Sequence, residues 1–148
     1  MCFWLYTSGS TGRPKGAVHV HADLRLTAEL YAVPVLGIRE SDIVFSAAKL
    51  FFAYGLGNAL TFPMSAGATV VLTKHSFMRP EFWEAFDRSG CTSFAGVPYL
   101  YETLHRLRFD PAHHPGLRTM TQAGGGLRPE LIRSFHDQTR AAGCRFFV

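Results

Sequence analysis

The sequence is poor in the features that mark several protein classes. No stretch approaches the roughly 20 apolar residues that span a bilayer, which argues against a membrane-spanning helix. The start, Met1-Cys2-Phe3-Trp4, has neither a basic segment nor a small-residue cleavage site, so no signal peptide is expected. There are only 3 cysteines, Cys2, Cys91 and Cys144, and they form no CxxC and cannot all pair. That usage fits reduced, buried thiols and predicts a cytoplasmic protein. The net charge is +4, but the basic residues are scattered and only Arg106-Leu107-Arg108 is dense. A nucleic-acid partner, which needs a clustered basic stripe, is not expected. HExxH and Cys/His clusters are missing, so no metal site is predicted; His19 and His21 share one face of a predicted strand but lack a third ligand. His113-His114 sits between Pro111 and Pro115 in a loop expected to be solvated. The Gly-x-Ser-x-Gly elbow of serine hydrolases is absent too.

What is present is a core. The chain has 148 residues, 47% hydrophobic and 18% charged, with 13 Phe, 5 Tyr and 2 Trp. That composition suits one globular domain or a piece of a larger one. Short apolar or β-branched runs at residues 3–6, 17–20, 43–47, 69–72, 93–95, 119–123 and 145–148 read as strands. Between them lie helical patterns at 22–33, 54–65, 81–89, 98–107 and 129–142. Pro34 and Gly37 are expected to stop the first of these, and Gly67 the second. Phe82 and Phe86, four apart, mark the buried face of the third; Tyr101, Leu104 and Leu107 mark that of the fourth. The alternation predicts an α/β fold: a layered, mostly parallel sheet with flanking helices. Both ends of the chain are apolar, where a domain boundary is normally polar, so an internal segment of a larger enzyme is expected.

The most informative stretch is Tyr6-Thr7-Ser8-Gly9-Ser10-Thr11-Gly12-Arg13-Pro14-Lys15-Gly16. Its glycines let backbone approach a ligand, its hydroxyls and free N–H groups donate to phosphate oxygens, and Arg13 and Lys15 add charge. It is not a Walker A loop, because Lys15 follows Pro14, precedes Gly16 and leads into a strand.

This loop resembles the phosphate-binding signature of the adenylate-forming superfamily: acyl-CoA and aryl-CoA synthetases, peptide-synthetase adenylation domains and firefly luciferase. The likeness extends over essentially the whole chain. It implies a partial AMP-binding (adenylation) domain over residues 1–148, truncated at both ends, with the small C-terminal domain absent. The implied chemistry has two steps: a carboxylate attacks the α-phosphate of ATP and pyrophosphate leaves, then a thiol, usually that of coenzyme A, displaces AMP. By the same resemblance Thr7, Ser8, Gly9, Ser10, Thr11, Gly12 and Lys15 hold the departing phosphates, with Mg²⁺ sharing the charge.

Two further segments extend the likeness. Phe45-Ser46-Ala47-Ala48-Lys49-Leu50-Phe51-Phe52-Ala53-Tyr54-Gly55-Leu56-Gly57-Asn58 and Val18-His19-Val20-His21-Ala22-Asp23-Leu24 are most similar to benzoate-CoA ligases and related aryl-CoA ligases. The resemblance implies that Ala53 and Tyr54 face the ring of an aromatic acid, with Phe52 in support; a polar tip such as the tyrosine hydroxyl suits that task. Read as residues alone, Phe51 is expected in the core, and Tyr54 suits pocket and core equally. Gln122-Ala123-Gly124-Gly125-Gly126-Leu127 stands in the place of the family's turn beside adenine, which implies contacts from Gly124, Gly125 and Gly126; Gly96 is a weaker candidate for ligand contact. Residues 94–101 and 117–127 read more like other acyl-adenylating branches, so the aromatic assignment rests on the first half. The catalytic residues are expected outside the chain. The expected partners are a small carboxylic acid, ATP and coenzyme A. A carrier-protein thiol in place of coenzyme A, and a non-catalytic ATP-binding module, remain open alternatives; oligomeric state is unassigned.

Overall fold

The computed structural model describes residues 1–7 and 12–148. Alternating side chains make Phe3–Thr7 (β1) and Lys15–His19 (β2) an antiparallel ribbon, with Phe3 opposite His19 and Thr7 opposite Lys15. In the sequence the hydroxyl-and-glycine stretch joins these two strands. Four of its expected phosphate ligands, Ser8, Gly9, Ser10 and Thr11, lie outside the described residues.

The β-branched and aromatic runs form a separate five-stranded sheet: Ile43–Ser46 (β3), Thr69–Val71 (β4), Ser93–Gly96 (β5), Thr119–Gln122 (β6) and Arg145–Phe147 (β7). Their order is β4-β3-β5-β6-β7 and every pairing is parallel. All five carboxyl ends therefore reach one rim, where open α/β sheets place their ligands. The layered α/β expectation holds, with the ribbon as an antiparallel addition.

Helices cover both faces, as a parallel sheet requires. On one face pack Pro80–Ser89 (α4), Pro98–Arg106 (α5) and Pro129–Ala141 (α6), each opened by proline at its first position, where the missing N–H costs nothing. Phe45 meets Phe82 edge-on at 5.0 Å, and Tyr101 meets Phe135 at 5.0 Å. On the other face Ala28, Ala32, Leu36 and Ile38 bury against Phe62 and Phe147. Phe146 belongs to the first cluster and Phe147 to the second, as strand alternation dictates.

Three sequence expectations change here. The first helix does not stop at Pro34. His21–Thr27 (α1) continues as a π-helical stretch, Ala28–Leu36, with Pro34 inside it and Gly37 as its end. The wider π turn makes room for the ring, and burial of Ala28, Ala32 and Leu36 holds the segment in place. The second helix is likewise composite: Ala53–Leu56 (α2), a π-helical Gly57–Thr61 and Phe62–Ala66 (α3), closed by Gly67 as expected. Leu107 is exposed, because α5 ends one residue earlier and carries it off the buried face.

At the amino rim of the sheet, the residues just before three strands lock together. Asp42 is 1% exposed. Its carboxylate accepts from Arg118 at 2.5 and 2.6 Å, from the Thr92 hydroxyl at 2.7 Å and from the Arg39 N–H at 3.0 Å. Burial alone would raise the Asp42 pKa; these donors outweigh it and hold it below the usual carboxylate value.

Candidate acid and nucleotide site

A cavity of about 650 Å³ opens at the carboxyl rim of the sheet, within the size range of small-molecule sites. Four of its walls are loops that follow strands. The turn after β3 contributes Ala47, Ala48 and Lys49 and runs into α2, which adds Phe52, Ala53 and Tyr54. The loop after β4 brings Ser76 and Phe77, the one after β5 Val97, and the one after β6 Gly124. Tyr6, next to Thr7 in the ribbon, borders the cavity as well. The lining is aromatic and aliphatic with few polar groups, which suits a flat, largely apolar ligand with one polar end.

The three residues expected to form the acid pocket, Phe52, Ala53 and Tyr54, all border this cavity. Phe51 does not belong to the core, as sequence reasoning had it: it is 77% exposed and packs on Phe52, ring centroids 4.6 Å apart.

The Tyr54 hydroxyl is already engaged. It lies 2.6 Å from the Thr121 hydroxyl, while Tyr101 donates to the Thr121 carbonyl at 2.9 Å. Burial pushes the Tyr54 phenol well above its ordinary pKa, so it stays neutral. The tyrosine therefore offers the cavity its ring, and its oxygen anchors α2 to β6.

Gly124 reaches the cavity with φ +88°, a conformation that L side chains rarely adopt. Gln122 steadies this turn by donating to the Gly125 carbonyl at 2.9 Å. Gly125 and Gly126 are exposed beyond the lining. Gly96 packs against Leu100 and Tyr101, which a Cβ would strike at 2.8 and 2.9 Å, giving it a packing role. Thr7 and Lys15 form the last pair of the ribbon and are exposed; with Gly12 they stand outside the cavity lining, at the side that Tyr6 marks.

Sequence reasoning assigned no role to Lys49, Ser76, Phe77 or Val97. Lys49 carried a local signal, a lone charge inside Ala47-Ala48-Lys49-Leu50-Phe51-Phe52. Ser76 and Phe77 had none, since only the sheet order brings them beside α2.

The other candidates resolve structurally. His21 opens α1 and is not on the strand with His19, which stacks on Phe3 at 4.9 Å and bonds Asp23 at 3.0 Å. His114 is half-buried, not solvated, because it stacks on Phe109 at 5.1 Å. Cys91 and Cys144 are buried free thiols, and burial pushes Cys91 up to about 12. Among the described residues no three His, Cys, Asp or Glu side chains gather as metal ligands, and no helix is long and apolar enough to cross a membrane.

A parallel sheet with an aromatic cavity at its carboxyl rim and an antiparallel ribbon whose Tyr6 borders that cavity fits the α/β domain of adenylate-forming enzymes. The chain belongs to the AMP-binding enzyme family, whose model matches residues 1–146. It is 60% identical over 133 residues to the benzoate-CoA ligase of Thauera aromatica, covering 89% of this chain and 25% of that protein. Among solved structures, a benzoate-CoA ligase from Burkholderia xenovorans LB400 matches with a TM-score of 0.76 and 46% identity over 97% of this chain and 28% of its own. An anthranilate-CoA ligase in complex with anthranoyl-AMP matches with a TM-score of 0.80 and 36% identity over 98% of this chain and 28% of its own. The chain thus spans about a quarter of the length of these relatives.

Proposed function

We propose that this chain is part of the adenylation domain of an acid-thiol ligase that activates an aromatic, benzoate-like acid with ATP and passes the acyl group to coenzyme A. The observation that carries this reading is the convergence of Phe52, Ala53, Tyr54 and Gly124 on one cavity, with Tyr6 leading from it into the hydroxyl-rich loop. The 60% identity to a benzoate-CoA ligase supports the acid and thiol assignments.

In this reading the carboxylate oxygen attacks the α-phosphorus of ATP. The acyl–phosphate bond forms as the bond to the β-phosphate bridge breaks, and pyrophosphate departs. The coenzyme A sulfur then attacks the acyl carbonyl and AMP leaves. Thr7, Ser8, Gly9, Ser10, Thr11, Gly12 and Lys15 would hold the leaving phosphates, donating to charge that develops there. Gly124, Gly125 and Gly126 would let adenine lie on bare backbone. Phe52, Ala53 and Tyr54 would hold the acid's ring by face and edge. Mg²⁺ would arrive on the triphosphate and supply charge neutralisation. The described carboxylates do not cluster to hold it, so no role for this chain is assigned toward it.

The test is ATP–pyrophosphate exchange by the full-length enzyme. Exchange should depend on benzoate, and Lys15→Ala should raise KM for ATP about tenfold or more, the effect of losing a charged hydrogen-bond donor, while KM for benzoate moves little. Absence of exchange with benzoate and with other aromatic acids would sink the reading. Unchanged ATP kinetics in the Lys15 variant would remove the loop assignment alone.

A further inference from the structure

Two walls of the cavity come from segments far apart in sequence, the β3–α2 turn and the loop after β4. A single side chain ties them. The Lys49 ammonium donates to the Thr73 carbonyl and to the His75 carbonyl, both at 3.0 Å. Among the described residues no other hydrogen bond joins residues 48–56 to residues 73–79, and Lys49 forms no ion pair. Its charge is satisfied by carbonyl dipoles, so it acts as a tie and not as a counter-ion.

Both ends of this tie are rigid. The Lys49 carbonyl accepts the Phe52 N–H at 3.0 Å and presses so closely on α2 that a Cβ at Gly55 would lie 2.0 Å from it. On the far side Trp83 of α4 donates to the Phe77 carbonyl at 2.9 Å, and the Phe77 ring packs on Tyr99 at 5.8 Å. The spacing between Phe52 and Ala53 on one wall and Ser76 and Phe77 on the other therefore passes through the Lys49 side chain.

We propose that Lys49 is a positioning residue that sets the width of the acid pocket and thereby the enzyme's preference for an unsubstituted ring over a bulkier one. This rests on the reading of the cavity as the acid's pocket. Without the tie the β3–α2 turn loses its hydrogen bonds to Thr73 and His75 and can shift away from that stretch while Phe77 stays held by Trp83; the small ring then fits loosely and a larger one is no longer rejected.

The experiment compares wild type, Lys49→Met and Lys49→Arg in the full-length enzyme, reading KM for ATP, benzoate and 4-methylbenzoate by pyrophosphate exchange, together with Tm. Lys49→Met should raise KM for benzoate roughly tenfold and shrink the preference for benzoate by a similar factor, as expected when pocket fit is lost. KM for ATP should stay within about twofold, since the tie touches only the acid's walls. Arginine, which keeps the donors, should restore most of both acid readouts. Equal rises in KM for ATP and acid, an unmoved acid preference, or failure of arginine to restore it would overturn the proposal. If Lys49→Met does not fold, Lys49→Gln, too short and uncharged to span to both carbonyls, carries the test: benzoate preference must shrink with KM for ATP unchanged, and an unmoved preference overturns the proposal. Loss of exchange in wild type would overturn the cavity reading itself, whereas wild-type exchange with an unmoved Lys49 variant overturns only the tie.

Discussion

Tyr54 separates what a ring does from what its hydroxyl does. Its oxygen is spent on Thr121 at 2.6 Å, and burial keeps it neutral. Tyr54→Phe should therefore leave KM for benzoate within about threefold of wild type and lower stability by about 1 kcal/mol, the net worth of one hydrogen bond. Tyr54→Ala removes the ring and should shift acid preference by about tenfold or more while KM for ATP holds. Steady-state kinetics and urea unfolding on the same two variants check both statements. A large benzoate KM effect in Tyr54→Phe would mean that the hydroxyl meets the acid after all.

At the scale of elements, α2 and the turn before it work as one piece. Gly55 stands where the Lys49 carbonyl comes closest, and a methyl group there has no room. Gly55→Ala should lower stability by about 1–3 kcal/mol or more, the range for overpacking a tight site, with a fall in Tm as the readout. It should also shift acid preference, because Lys49 moves with the clash. Much of this level was legible in the sequence. The strand-helix alternation, the proline helix starts and the Gly67 stop follow from local pattern and steric rules. The failures share a cause. Pro34 reads as a stop under α-helical geometry, and only the buried face of Ala28, Ala32 and Leu36 reveals that a wider π turn carries it. Phe51 reads as core because it is apolar, but its orientation depends on where α2 begins. Lys49 bonds residues 24 and 26 positions away, a pairing that no local rule reaches. The loop at Thr7 stood out by composition alone, whereas the place of its neighbour Tyr6 beside the cavity required the fold.

Across the whole molecule the two rims of the sheet have different duties. Asp42, Thr92 and Arg118 bind one another at the amino rim, while the cavity occupies the carboxyl rim. Asp42→Asn should cost about 3 kcal/mol near neutral pH, because it leaves Arg118 without its partner charge. The pH dependence has a definite sign. The Asp42 pKa is lowered by folding, so its contribution is complete above the unfolded value of about 3.9 and is lost as pH falls through the lower folded value. Urea midpoints of wild type should drop along that acid limb, and those of the Asn variant should drop less; parallel curves would refute the assignment. Acid selectivity should be the same in both proteins.

That division makes the domain modular. Substitutions in the loops of one rim can reshape the cavity, and the keystone at the opposite rim goes on holding three strands together untouched by the change.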